Sequence, residues 1–379
     1  MRASAPLRLC VVAHHAYGAM TGGSAGHFGG VERQTSLMCR WLAARGHAVS
    51  LVTWDEGQGD ATVVDGVRLI RLCRRDAGLP GLRFFAPRWT SLRAALRRAD
   101  AAVYYHNCAE YVTGQVAHWC RRNGRHFVYS VASDMDVDPA LPDLPARRER
   151  ILYRYGLKAA DRIVLQTEMQ RQRLREHFSL EGTVLPMPCP GPDAASFRAP
   201  QPPAAGAVRV LWAGRIAPVK RFELLLEVAR ACPQIGFDVA GMLDASDAYL
   251  APLLAEARAL PNLVLHGAVP RERMAGMYAR AALLLCTSRY EGFPNTFIEA
   301  WSLGIPVVST IDPDGLIERH QLGGTGATAA ALAAAIRAVS ADPVAWQAMS
   351  ARARDYFVRH HAVDRAMALF EQVFREVVG

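Results

Sequence analysis

The stretch Arg289-Tyr-Glu-Gly-Phe-Pro-Asn-Thr-Phe-Ile-Glu-Ala-Trp-Ser-Leu-Gly-Ile-Pro-Val-Val-Ser309 places two carboxylates at a corner between a strand and a helix. Glu291 and Glu299 stand in it with seven residues between them. The apolar run at 281–286 predicts a buried parallel strand before the corner. A helix is predicted at about 295–303, so Glu291 belongs to the loop and Glu299 lies about one turn into the helix.

The two ends of this helix are marked by residues with restricted backbones. Gly304 ends the helical pattern, and Pro306 just beyond it prevents continuation. Pro294 and Asn295 suit a helix start, where free backbone N–H groups attract anions. Because carboxylates accept hydrogen bonds from sugar or ribose hydroxyls, the corner predicts a site for a polyhydroxylated, phosphorylated ligand.

Three further stretches complete a family pattern. They read Gly29-Gly-Val-Glu-Arg-Gln34, Val210-Leu-Trp-Ala-Gly-Arg-Ile-Ala-Pro-Val-Lys220 and His266-Gly-Ala-Val-Pro270. Together with the spacing of the two glutamates, they resemble the retaining glycosyltransferases of the GT-B fold, family 4, over nearly the whole chain. The resemblance implies an α/β protein with two Rossmann-like, doubly wound domains facing across a cleft. It also implies a C-terminal helix that crosses back to the first domain.

Composition is that of a globular protein with two domains. The 379 residues are 51% apolar and 21% charged, and no apolar stretch approaches the roughly 20 residues that span a bilayer. The N-terminus predicts a first buried strand rather than a signal peptide. The eight cysteines are scattered without a Cys-x-x-Cys pair, which predicts reduced thiols in a cytoplasmic protein.

The positive charge is concentrated in the first half of the chain. Residues 1–200 contain 27 Lys and Arg against 18 Asp and Glu, a difference of +9, which equals the net charge of the whole chain. This half is therefore expected to face an anionic partner: a lipid surface, a phosphate-bearing acceptor or nucleic acid.

Short apolar runs alternate with helical patterns, which predicts βαβ units and parallel sheets. A proline-rich passage at 185–207 is interpreted as the linker. The expected domains are an acceptor-binding domain at 1–190, a nucleotide-sugar-binding domain at 191–355 and a returning helix at 356–379. Strands are predicted at 7–13, 48–53, 67–72, 101–105, 126–131, 162–166, 208–213, 236–240, 263–267, 281–286 and 306–309. Other helices are predicted at 31–45, 91–98, 113–123, 148–159, 168–178 and 325–338, with one or two more over 346–378.

Arg215 and Lys220 follow a predicted strand closely, at the end of the sheet where doubly wound folds bind ligands. An Arg fork and a Lys point charge hold phosphate oxygens in complementary ways. Both could stabilise the charge that grows on a diphosphate leaving group. The alternative is a pair of solvated basic residues at a helix start, which the helix dipole disfavours slightly.

The resemblance also implies roles for the corner itself. Glu299 would hold the ribose hydroxyls, and Glu291 would contact hydroxyls of the transferred sugar. This chain departs from the common family form in having Pro294 directly after Phe293, so any main-chain contact there must come from other N–H groups. The expected donor-binding residues are Gly29, Gly30, Gly214, Phe293, Asn295, Thr296 and Glu299, with Arg215, Lys220 and Glu291 as the catalytic group.

A glycine-rich run at 18–30 follows the first strand. It lacks both the Gly-x-Gly start of a dinucleotide fingerprint and the P-loop pattern. It is interpreted as a mobile loop closing over donor phosphates and acceptor, with a plain surface loop as the alternative.

The acceptor side has no histidine where the family often has one, after the fifth strand. Ser133 or Asp134 could take that role, and His106 and Asn107 are further acceptor-side candidates. An Asp-x-Asp-x-Asp run occurs at 134–138 without the EF-hand continuation, and no metal is expected.

Nine arginines lie between residues 68 and 98. Trp89, Leu92 and Leu96 fall on one side of a predicted helix there. Such a helix could rest on an anionic membrane, or it could pack its apolar side on the sheet.

The resulting expectation is a retaining, metal-independent hexosyltransferase with no cofactor and a UDP- or GDP-sugar donor. It would build polysaccharide or lipid-linked glycans of the cell envelope, peripherally at the cytoplasmic membrane face, and bind no nucleic acid. The alternatives are a nucleotide-sugar epimerase of the same fold, or a non-catalytic carbohydrate- or nucleic-acid-binding protein.

Overall fold

The computed structural model describes residues 5–22, 29–59, 62–204, 206–244 and 246–379. The chain divides into two compact units. The first combines Met1–Met187 with Ala366–Gly379, and the second is Pro188–Arg365.

The first unit is built on an eight-stranded sheet. Its strands are β1 Arg8–Val12, β2 Ala48–Thr53, β3 Val63–Val64, β4 Val67–Arg71, β5 Val103–Asn107, β6 His126–Ser130, β7 Arg162–Leu165 and β8 Thr183–Val184. They lie in the order β3-β4-β2-β1-β5-β6-β7-β8, and every pair except β3 with β4 is parallel. The chain adds strands on one side of β1 and then, from β5, on the other. The boundary between β1 and β5 is therefore the switch point at which such sheets bind ligands.

Helices cover this sheet, and all but α1 lie at the places that the apolar periodicity predicted. They are α1 Tyr17–Thr21, α2 Gly30–Ala44, α3 Thr90–Ala99, α4 Tyr111–Arg122, α5 Arg147–Ala159 and α6 Glu168–Phe178. The helices and strands predicted for this half are confirmed, with ends displaced by at most two residues. The sequence did not predict the short helix α1 or the two-residue strands β3 and β8, which are too short to show a period.

Helices α4 and α5 cross at two glycines. A Cβ on Gly114 would lie 2.2 Å from the carbonyl oxygen of Leu152, and one on Gly156 would lie 2.7 Å from the amide nitrogen of Gly114. The backbones therefore touch at a distance that no side chain permits.

Helix α3 decides between the two interpretations of the arginine-rich segment. Leu92 and Leu96 are buried in the core of the first unit, and Trp89 packs against that core. For this helix the structure therefore supports the second alternative, because its apolar side is covered by the sheet. The same spacing of apolar residues serves both environments, so sequence could not separate them.

The second unit contains a six-stranded, fully parallel sheet. Its strands are β9 Arg209–Ala213, β10 Gly236–Ala240, β11 Leu263–Gly267, β12 Leu283–Cys286, β13 Val307–Ser309 and β14 Gly323–Thr325. The order is β11-β10-β9-β12-β13-β14, so the switch point lies between β9 and β12. The surrounding helices are α7 Phe222–Ala231, α8 Leu250–Arg258, α9 Arg271–Arg280, α10 Asn295–Ser302, α11 Leu316–Arg319, α12 Ala329–Ala341 and α13 Pro343–His360.

The predicted strands and the predicted helix at the corner are confirmed in this unit. Helix α10 begins at Asn295 and ends at Ser302, and Gly304 follows with a left-handed φ of 72°. The helix predicted at 325–338 instead begins at Ala329, where the Thr328 hydroxyl accepts a hydrogen bond from the Ala331 amide at 3.2 Å. Thr325 belongs to the edge strand β14.

The last helix, α14, spans Val363–Glu376, and from Ala366 onward it belongs to the first unit. Phe370 and Phe374 are buried, and the Phe374 ring meets the Tyr105 ring edge-on at 5.8 Å between centroids. Glu371 accepts hydrogen bonds from Arg45 at 2.9 Å and from Arg375 at 2.6 Å. Helix α14 thus completes the core of the first unit.

In the part of the chain that the structure describes, no single helix is long and apolar enough to cross a bilayer. Helices α12 and α13 reach the length and hydropathy of a span only when taken together, and they bend by 100° at the break between them.

Candidate functional site: an ion pair at the switch point of the second sheet

Lys220 and Glu291 meet where β9 and β12 end. Lys220 closes the short 3₁₀ turn Pro218–Lys220 after β9, and Glu291 lies in the loop after β12. The Lys220 ammonium forms an ion pair with Glu291 Oε1. The Ser288 hydroxyl donates to the same oxygen at 2.6 Å. Because the lysine and glutamate side chains are 27% and 18% exposed, the pair is partly shielded yet open to a ligand.

Hydrogen bonds tie the two loops that carry this pair. Thr287 donates from Oγ1 to the carbonyl oxygen of Lys220 at 2.6 Å, and the Arg289 amide donates to Val219 O at 2.8 Å. The indole of Trp212 on β9 donates to Thr287 Oγ1 at 3.0 Å. The position of the lysine is thereby fixed from both neighbouring strands.

Arg215 lies on the same loop as Lys220, one residue beyond Gly214. The Gly214 amide donates to Ala240 O at 3.0 Å, which extends the β9–β10 pairing to the start of the loop. Arg215 is exposed, and in the described ranges its guanidinium has no hydrogen-bond or ion-pair partner. A guanidinium in that state can bind an anion without first breaking a protein contact.

Helix α10 brings the second glutamate to the same loop system. Glu299 is half-buried on its second turn and accepts a hydrogen bond from the Tyr278 hydroxyl at 3.0 Å. Asn295 and Thr296 form the helix start. Phe293 is buried beside the ring of His361, with 5.0 Å between ring centroids, so its side chain anchors the loop in the core of the second unit.

The structure thus places Arg215, Lys220 and Glu291 on two adjoining loops, with Glu299 on the helix that follows the second loop. Sequence reasoning missed Thr287, Ser288 and Tyr278, which orient the charged groups. Their residue types are common everywhere, so no sequence signal identified them. Only the position of Thr287 and Ser288 directly after a buried strand marks them as residues at a ligand-binding edge.

His106 and Asn107 lie at the corresponding edge of the first sheet, at the end of β5. Both are buried. The His106 ring contacts Val12 O through Nδ1 at 2.8 Å, while its buried Nε2 has no hydrogen-bond partner in the described ranges. Burial lowers the His106 pKa to about 4, so the ring is neutral at pH 7.

His14 and Glu110 complete this group. Glu110 Oε2 lies 3.8 Å from His14 Nδ1 and 4.0 Å from His106 Nε2. Burial, with the Glu32 and Asp136 charges, raises the Glu110 pKa to about 7, and burial lowers the His14 pKa. The buried Nε2 of His14 also lacks a hydrogen-bond partner among the described residues. This edge thus carries polar atoms that no described residue satisfies.

Ser133 and Asp134 make contacts that hold the fold. The Ser133 hydroxyl accepts from the Met135 amide at 3.2 Å and caps a short 3₁₀ helix, Asp134–Val137. Asp134 is buried and accepts a hydrogen bond from the Gln170 side chain at 3.0 Å. Their proposed contact with acceptor stays a prediction.

Gly29 is the N-cap of α2, and Gly30 is its first residue. Residues 23–28 of the predicted glycine loop lie outside the described residues. Among the residues that the structure does describe, no group of three or more His, Cys, Asp or Glu side chains could hold a metal ion.

Two family models match the chain. Residues 207–342 match the model described as glycosyl transferases group 1, and residues 29–190 match the glycosyl transferase 4-like domain. Between them they cover the second sheet and every strand of the first sheet except β1.

Two curated relatives are D-inositol 3-phosphate glycosyltransferases. The protein from Segniliparus rotundus is 30% identical over 48% of this chain and 44% of its own length. The protein from Rhodococcus erythropolis is 26% identical over 86% of this chain and 80% of its own length. The first alignment thus spans less than half of that relative.

Among solved structures, HepE from Anabaena, in complex with UDP and glucose, superimposes with a TM-score of 0.74 at 14% identity. The match covers 97% of this chain and 99% of HepE. Two parallel-sheet units with this similarity define the GT-B class. With both family models matching, the chain belongs to the glycosyl transferases of group 1.

Proposed function

We propose that this chain is a retaining, metal-independent hexosyltransferase that uses a nucleotide-diphosphate sugar, UDP- or GDP-linked. The observation that carries the proposal is the Lys220–Glu291 pair at the switch point of the second sheet, with Arg215 on the same loop. The two cations at this edge, Arg215 and Lys220, can bind the diphosphate of a donor. The UDP and glucose of the HepE complex support a UDP-sugar.

In the proposed step, the acceptor hydroxyl oxygen attacks the anomeric carbon on the face from which the diphosphate leaves. The bond between that carbon and the β-phosphate oxygen breaks, and its electron pair leaves with the nucleoside diphosphate. The acceptor proton passes to an oxygen of the leaving phosphate. Arg215 and Lys220 stabilise the negative charge that develops there.

The remaining donor contacts are part of the same proposal. Glu299 accepts hydrogen bonds from the ribose, and Glu291 orients Lys220 and contacts the transferred sugar. Backbone amides at the start of α10, from Asn295 and Thr296, face the donor. Pro294 has no N–H to contribute. Gly29 and Gly30 lie at the start of α2, where an N–H group can also meet phosphate.

We further propose that the first unit binds a glycan or lipid-linked acceptor of cell-envelope polysaccharide synthesis at an anionic membrane surface. The support is a group of apolar side chains that stand out among the arginines of 68–98: Leu79, Leu82 and Phe85 are 70%, 62% and 61% exposed. Eight free cysteines are consistent with the cytoplasmic face.

The test is a panel of nucleotide sugars, assayed for thermal stabilisation, donor hydrolysis and transfer. Arg215→Ala and Lys220→Ala should each lower turnover by about 10²- to 10³-fold without changing the circular dichroism spectrum. Arg258→Ala, which removes an exposed charge on α8, is the matched control and should retain activity. Normal turnover in both site variants would refute the role assigned to these cations.

The same panel of nucleotide sugars distinguishes a glycosyltransferase from a nucleotide-sugar epimerase. Interconversion of the donor sugar without any acceptor, and with no release of nucleoside diphosphate, would establish that alternative instead. Inversion at the transferred carbon, read from the product by NMR, would contradict the retaining mechanism.

A further inference from the structure

A cavity of about 960 Å³ opens in the first unit, beyond the carboxyl ends of β1, β2 and β4. This is the edge at which a doubly wound sheet binds its ligands. The side chains that give it its character are Arg74, Arg75, Arg83, Arg88 and Arg148, together with Phe84.

The cavity is cationic after its own carboxylates are counted. Among the described residues that line the cavity, five arginines face Asp55, Glu56 and Asp76, which leaves 5 − 3 = +2. Two of the carboxylates already have cationic neighbours: Asp55 lies 3.7 Å from Arg71, which does not line the cavity, and Asp76 lies 3.5 Å from Arg74. Of the described lining carboxylates, Glu56 therefore remains to oppose Arg75, Arg83, Arg88 and Arg148.

Contacts with the protein hold two of these arginines in place. Arg88 donates from Nη2 to Arg75 O at 2.9 Å and lies 5.6 Å from the Trp54 ring centroid. Its Nε is buried and has no hydrogen-bond partner among the residues that the structure describes. The Arg148 guanidinium lies 4.5 Å from the Phe84 ring centroid. A buried guanidinium N–H left unsatisfied is costly unless a ligand accepts from it.

We propose that this cavity binds the phosphate group of a phosphorylated acceptor. Guanidinium forks pair with phosphate oxygens through two parallel hydrogen bonds, and a phosphate offers enough oxygens for several forks. The volume exceeds what one phosphate fills, which leaves room for the polyol that carries it. As the acceptor's binding site, the inference rests on the proposed glycosyl transfer; as an anion site, it stands on the cavity alone.

The test uses inorganic phosphate and glycerol 3-phosphate as probes, titrated by calorimetry against chloride at equal ionic strength. Arg75→Gln combined with Arg83→Gln removes two cavity charges. Arg97→Gln combined with Arg121→Gln removes two exposed charges elsewhere in the same unit and is the control. Binding should weaken about tenfold or more in the cavity variant and stay within about twofold in the control.

The source of the phosphate is distinguished with vesicles. Phosphatidic acid presents on a lipid the phosphate that glycerol 3-phosphate presents in solution. Co-sedimentation with phosphatidylcholine vesicles that contain phosphatidic acid, lost in the cavity variant, assigns a lipid acceptor. Glycerol 3-phosphate binding without such co-sedimentation assigns a soluble one. Either result supports the phosphate site.

Two results would overturn the inference: no phosphate binding beyond that of chloride, or equal binding in the cavity variant and its control. UDP binding, measured in parallel on the same variants, tests the proposed function separately. Suppose that UDP binds to none of these proteins, while the phosphate affinity of the cavity variant is still lower than that of the control variant. The phosphate site then stands and the donor assignment fails.

Discussion

The carboxyl edges of the two sheets are finished in different ways. In the second unit the edge is internally paired, because Glu291 forms an ion pair with Lys220 and accepts a hydrogen bond from the Ser288 hydroxyl. In the first unit, buried nitrogens of His14 and His106 have no hydrogen-bond partner within the described part of the chain. The difference indicates that the second edge holds its geometry through its own contacts, whereas the first presents buried nitrogens that a ligand could satisfy.

The units also differ in how the chain builds them. The second is one continuous stretch, Pro188–Arg365, whereas the first needs α14 from the far end of the sequence. Perturbations of α14 should therefore act on the first unit and leave the second intact.

The largest expected effect comes from Phe374→Ala. Removing a buried ring should lower the free energy of unfolding of the first unit by about 3–5 kcal/mol. Hydrogen exchange read by mass spectrometry should show faster exchange in peptides from 29–184 and unchanged exchange in peptides from 209–360. Leu369→Ala, on the exposed side of the same helix, is the control. Equal loss of protection from hydrogen exchange in both units would contradict the prediction that α14 stabilises only the first unit.

Glu291→Gln tests the internally paired edge. The amide keeps the shape of the side chain but cannot neutralise Lys220, so the lysine should lose its fixed position. We expect kcat for transfer to fall by about 100-fold, with little change in the unfolding midpoint. Unchanged kcat would mean that the pair is structural only.

Acid stability should separate the units as well. The His106 pKa is about 4 in the folded protein and about 6.5 when unfolded, so the unfolded state binds more protons between these values. Stability from this group is complete above pH 6.5 and is lost as pH falls toward 4. Between pH 7 and pH 5 the loss should be about 2 kcal/mol.

His106→Gln removes this titration. Urea unfolding of the wild type and the variant at pH 7 and pH 5 isolates it, because other titrating groups are common to both. Asp136 acts in the opposite direction: burial raises its pKa to about 6, so its protonation below that pH favours the folded state. An equal pH dependence in the two proteins would contradict the assignment to His106.

The smallest effect is expected for Ser288→Ala. It removes a single hydrogen bond to Glu291 and leaves the ion pair, which should cost about 1 kcal/mol, or roughly fivefold in kcat. Ser246→Ala, at an exposed hydrogen bond to Asp244 in the same unit, is the control. A loss as large as that of Glu291→Gln would show that the hydroxyl, not the charge pair, organises the loop.

The sequence predicted the second edge well because its signals are local. An apolar run, a proline before the helix and Gly304 after it define one strand, one loop and one helix within a short stretch. Glu291 and Glu299 lie within that stretch, and Arg215 and Lys220 follow another predicted strand, β9.

The first edge could not be predicted in the same way. Its arginines come from the loop after β4 and from the start of α5, and only the folded sheet brings Arg75 and Arg148 to one cavity. The sequence indicated that this half of the chain has excess positive charge, but it did not indicate that these arginines line one cavity. The apolar side of α3 was equally ambiguous, because burial in a core and contact with a lipid select the same side chains.

The return of α14 has a consequence for biosynthesis. A ribosome makes the strands of the first unit before the second unit, but Phe370 and Phe374 follow the second unit in sequence. During synthesis of the second unit, the nascent first unit therefore exposes the apolar surface that those rings later cover. Chaperone capture during translation, and poor tolerance of insertions that block docking of α14, both follow from this order of synthesis.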